Sequence, residues 1–76
     1  MDRADFPHDL LRLQVDWYRT YDALAASRSA HVTVLRRRLN VLSARLRWHP
    51  YWSRTAGAPA ARAELRRQAR ALERGE

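Results

Sequence analysis

Between Val32 and Trp48 the sequence VTVLRRRLNVLSARLRW carries two helical repeats at once. Val32, Leu35, Leu39, Leu42 and Leu46 recur at spacings of three and four, which on a helix collects them into one narrow apolar stripe. Val34, Val41 and Trp48 recur every seventh residue and fall on nearly the opposite side. Arginines fill the gaps, Arg36 and Arg47 on one flank and Arg38 and Arg45 on the other. A helix that is apolar along two edges needs cover on both, so this segment is expected to lie between two other elements.

The segment before it reads as the first partner. Phe6, Leu10, Leu13, Trp17, Tyr21 and Leu24 hold a helical stripe in which Trp17 and Tyr21 are expected in the core. Asp5 is a candidate N-cap, with Pro7 tolerated in the first turn. Asp9 and Asp16 line one border of the stripe, while Leu11, Val15 and Tyr18 widen the apolar face past the other. Ser27-Arg28-Ser29 breaks the pattern and offers caps for the next helix. So short a join makes the two helices antiparallel neighbours, with Trp17 beside Leu39, Leu10 beside Leu46, and Phe6 at the His49-Pro50 corner. Pro50 stops the second helix, and Trp48, Tyr51 and Trp52 are expected to cluster there. Residues 53–58 read as a loop. Pro59 suits the first turn of a third helix and Gly75 its stop. The thin stripe Ala61, Leu65, Ala69, Leu72 is expected to cover Val34, Val41 and Trp48. The chain is thus an all-α unit over residues 1–76, a helical hairpin (helices 7–26 and 30–48) plus a short third helix (59–74).

Charge is unevenly distributed. Of the 15 basic residues, all arginine, seven lie in residues 28–54, where there is no acid at all; five of the eight acids lie in residues 1–27. The acidic first helix is expected to neutralise part of the basic second one, yet the net charge of +7 leaves surplus positive surface. Arg36, Arg37, Arg38, Arg45, Arg47 and Arg54 are the candidate nucleic-acid-binding residues, because guanidinium groups bind phosphate bidentately. No helix-turn-helix spacing accompanies them. Leu11, Val15, Tyr18, Val34, Val41, Trp48 and Trp52 are the candidate interface residues. Their surplus apolar area predicts self-association into a homodimer with a helical-bundle core.

Other chemistry has weak support. His8 and His49 with Asp5 or Asp9 lack the spacing of a zinc motif, and His31 reads as a turn residue. No serine sits in an elbow motif, the acids form no catalytic pair, and so small a chain leaves little room for a cleft above about 300 Å³. Neither a catalytic nor a metal nor a cofactor site is expected, nor a small-molecule substrate. No segment approaches the ~20 apolar residues of a membrane span, and without cysteine no disulfide is available; a cytoplasmic protein without membrane contact is expected. The reading is a small non-enzymatic regulator contacting nucleic acid through the Arg36–Arg54 surface, with a protein–protein adaptor for an acidic or apolar partner as the alternative. The runs LRRRLNVLSARLRWHPYW and PAARAELRRQARAL resemble short uncharacterised helical proteins of high-GC actinobacteria, a resemblance that implies no activity and no site residues.

Overall fold

A computed structural model describes residues 6–26, 31–55 and 58–75. Three α-helices follow one another: α1 (His8–Ala26), α2 (Val32–Arg47) and α3 (Ala58–Glu73), with a 3-10 turn over Pro50–Arg54. Among the described residues there is no strand. The helix bounds fall within two residues of those expected from the repeats. Asp5, Ser27 and Ser29, the expected caps, lie outside the described residues. His31 precedes α2 without a side-chain cap.

The sandwich forms around a different rod. α1, not α2, is the middle helix: it packs against both α2 and α3, and α2 and α3 make no comparable contact with each other. Leu10 of α1 (fully buried), Leu42 of α2, and Leu65 and Ala69 of α3 form the core. Val34, Val41 and Trp48 stay 63%, 50% and 76% exposed, so α3 does not cover them. Electrostatics explains the choice. α3 carries four arginines against Glu64 and Glu73, and α2 carries arginines and no acid, whereas α1 offers Asp22. Arg70 takes that offer, donating to Asp22 Oδ2 (3.0 Å) and to Glu73 Oε1 (2.7 Å) while its guanidinium sits 3.9 Å over the Tyr18 ring. Leu11, Val15 and Tyr18, expected at an interface, are therefore half-buried on the side of α1 that receives α3.

The hairpin is antiparallel as expected, and two side-chain hydrogen bonds tie α1 to α2 and to the corner that follows it. Asp9 meets His49 at 2.9 Å, and the Trp17 indole N–H donates to Ser43 Oγ at 2.8 Å, one turn beyond the expected Leu39. Tyr21, expected in the core, is 47% exposed and stacks on Trp17 with ring centroids 5.2 Å apart.

The segment expected as a loop starts with a capped turn. Pro50 occupies its first position and His49 Nδ1 accepts from the Tyr51 N–H. The hydroxyls of Ser53 and Thr55 donate to the carbonyls of Pro50 and Tyr51. Phe6 and Trp52 pack on Tyr51. Trp52 also donates from its indole N–H to the Leu46 carbonyl (2.7 Å) and lies under Arg62, so it belongs to the fold rather than to a bare interface. Trp48 stands apart from this cluster.

Candidate anion-binding surface

α2 presents its arginines outward. Arg36, Arg37, Arg38, Arg45 and Arg47 are all exposed, as is Arg54 on the following turn. None of the six forms an ion pair among the described residues; Arg47 lies 5.5 Å from the Trp48 ring centroid. The expected neutralisation of α2 by α1 takes no ion-paired form among the described residues: Asp9 and Asp22 have other partners, and Asp16 faces Arg45 only across an open hollow. Asp9 accepts from His49 Nε2, since Nδ1 is occupied by the Tyr51 N–H and the neutral ring must carry its proton on Nε2. That bond draws the Asp9 carboxyl below its ordinary pKa. Asp22 is likewise lowered, and Arg70 raised, by their mutual hydrogen bond. Glu64 accepts from Arg67 and Gln68.

The two flanks of α2 differ in electrostatic character. On one, Arg45 borders an open-sided hollow of about 520 Å³ that it shares with Arg12, Asp9 and Asp16, so the charges balance. On the other, Arg47 meets Arg62 and Arg66 of α3 across a cleft of about 510 Å³, with no acid on its walls. α1 supplies the floor of this cleft with Gln14 and Trp17, and α2 adds Ser43. Both hollows exceed what the chain length suggested, because α2 and α3 flank α1 without closing on each other. Among the described residues no cluster of His, Asp and Glu could hold a metal ion; His49 instead ties α1 to the corner after α2.

Gln14, Arg62 and Arg66 were not among the residues singled out from sequence. Gln14 is only 8% exposed, and its side chain forms no hydrogen bond among the described residues. Its amide atoms are not fully enclosed, so they open onto the cleft, where water or a ligand can reach them. The sequence signal was a glutamine on the rim of the apolar face, between Leu10 and Tyr18 on the helical wheel.

The fold defines a class: a three-helix all-α protein with a central first helix and an arginine-rich outer face. The chain belongs to a family described as a domain of unknown function, DUF8825, whose model matches residues 9–68. Comparisons with curated proteins and with solved structures return no match. The matched span includes α1 from Asp9, all of α2 and the cleft residues, and it ends before Arg70. Among the described residues no helix is long and apolar enough to cross a membrane.

Proposed function

We propose that this chain is a non-enzymatic binding protein that contacts nucleic acid through the outer face of α2, with Arg36, Arg37, Arg38, Arg45, Arg47 and Arg54 as phosphate contacts. The observation that supports this most directly is that these six arginines are exposed and have no carboxylate partner among the described residues, in a chain of net charge +7. Guanidinium groups left without carboxylates along both flanks of one helix match a polyanion in charge and in hydrogen-bond geometry. Cytoplasmic residence and a high-GC actinobacterial origin belong to the same proposal; a GC-rich genome accounts for arginine at every basic position but not for the excess of base over acid.

Binding to a short DNA duplex, followed by fluorescence anisotropy across a salt series, tests it. Each phosphate contact releases a counterion, so about five contacts give a log–log slope near −4.5. Replacing Arg37 or Arg38 by Gln lowers the slope by about one unit each. Absence of binding at low salt, or a slope near zero, refutes the proposal.

A second reading rests on the exposed ridge Val34–Val41–Trp48. Apolar residues aligned on a helix without cover fit a protein partner, either a second copy, giving the expected dimer, or an acidic helix. Light scattering separates the two: a dimer that Val41→Asp converts to monomer supports the second copy, and a monomer at all concentrations excludes it.

A further inference from the structure

We infer that the cleft between α2 and α3 is a binding site for a single phosphate group carried on a larger molecule. Its floor holds the amide of Gln14, 8% exposed and without a hydrogen-bond partner among the described residues. Beside it, Ser43 accepts the Trp17 indole proton through Oγ, which leaves its own O–H available to donate into the cleft. Arg47 stands on one wall, Arg62 and Arg66 on the other. The Arg62 guanidinium lies over the Trp52 ring, 4.3 Å from its centroid, and stacking of this kind holds its fork in one orientation. The site thus offers three guanidinium groups, an amide and a hydroxyl, and no carboxylate. Donors arriving from three helices suit a tetrahedral oxyanion better than a planar carboxylate, which is satisfied by one fork. A volume of about 510 Å³ is larger than one phosphate and leaves space for the group esterified to it.

The neighbouring hollows do not offer this. The one beside Arg45 contains Asp9 and Asp16. In the one beside Tyr18 and Arg66, Arg67 and Arg70 are already bound to Glu64, Asp22 and Glu73. The inference shares only Arg47 with the arginine face proposed above and stands without it, because the phosphate can belong to a nucleic-acid backbone or to a small phosphorylated molecule.

Trp17 and Trp52 provide the readout. The full chain is titrated at constant ionic strength with inorganic phosphate, with pyrophosphate and with a short DNA duplex, following tryptophan emission. Arg66→Gln and Gln14→Leu are compared with Arg19→Gln, an exposed position on α1 outside both proposed surfaces, and, with the duplex, also with Arg37→Gln on the outer face of α2. A saturable change that Arg66→Gln weakens by about tenfold or more, the scale of one charged hydrogen bond, and that Arg19→Gln leaves within about twofold, supports the site. Arg66 is exposed, so this variant keeps the test valid even where Gln14→Leu fails to fold. Saturation with phosphate or pyrophosphate assigns a small-molecule source; the same variant pattern with duplex alone assigns the backbone. The inference is overturned if no probe saturates, or if Arg19→Gln weakens binding as much as Arg66→Gln. Duplex binding that falls with Arg37→Gln and ignores Arg66→Gln removes the cleft site and leaves the arginine-face proposal standing.

Discussion

If α1 is the central helix, Leu10→Ala should be far more damaging than Val41→Ala, although both positions lie on amphipathic helices. Leu10 is fully buried and Val41 is 50% exposed. Removing a fully buried leucine side chain to alanine forfeits its transfer free energy and leaves a cavity, about 2–5 kcal/mol together. A chain of 76 residues has roughly 4–11 kcal/mol of total stability, so the loss is about a fifth of it or more. At the usual conversion for domains of this size a 3 kcal/mol loss lowers Tm by roughly 12–24 °C. Val41→Ala removes two methyl groups that are already half in water, and alanine is the better helix former by a few tenths of a kcal/mol. The net effect should lie within about 0.5 kcal/mol of zero. Thermal unfolding followed by circular dichroism at 222 nm, at two protein concentrations tenfold apart, gives both values. Equal losses for the two variants would refute the central placement of α1. A Val41→Ala loss confined to the higher concentration would mean that a second copy covers the α2 ridge.

Three further outcomes follow from individual contacts. Asp9 and Asp22 have folded pKa values below their ordinary value of 3.8, so the stability they contribute is present above that value and is lost as pH falls through the folded pKa; acid unfolding should be shallower in Asp9→Asn, and a gain of stability on acidification would contradict the His49 bond. Trp52→Phe deletes the indole donor to the Leu46 carbonyl (2.7 Å) and should cost about 0.5–1.5 kcal/mol in urea unfolding. Arg70→Gln removes the guanidinium shared by Tyr18, Asp22 and Glu73; hydrogen exchange should speed up in α3 before α2, and uniform acceleration would show that α3 is not docked through this residue.

The helices were legible because their repeats are strong and their ends are marked by Pro50, Pro59 and Gly75. The wide face of α1 was legible too, from Leu11, Val15 and Tyr18. What the hydrophobic pattern got wrong was which helix α3 would cover: the Val34–Val41–Trp48 edge of α2 looked like its seat, yet α1 also offered a second apolar edge and the Leu65–Ala69 stripe is thin enough to fit either. Charge held the answer. Docking α3 on the back of α2 would place Arg62, Arg66 and Arg67 against Arg37, Arg38 and Arg45 without an intervening acid, whereas α1 supplies Asp22 to Arg70. The 3-10 turn was missed because its capping is made by the side chain of His49 and two hydroxyls, contacts invisible to periodicity. Gln14 was missed because one polar residue at the rim of a stripe looks fully exposed until a third helix arrives to cover most of it.

The same charge argument explains the bare ridge. Covering Val34, Val41 and Trp48 requires an element that tolerates Arg37 on one side and Arg38 and Arg45 on the other. Among the described residues of this chain, Asp9, Asp22, Glu64 and Glu73 are bonded elsewhere, and Asp16 lies in the hollow that Arg45 shares with α1. No described helix therefore has free acids with which to approach the ridge. A second copy brings the same deficit, so two α2 helices face to face would meet arginine with arginine, a repulsion that weakens as salt rises. An acidic partner, by contrast, is held less tightly as salt rises. The sign of the salt dependence consequently distinguishes them: self-association that strengthens with salt identifies a second copy on the ridge, and binding that weakens with salt identifies a partner that brings its own negative charge.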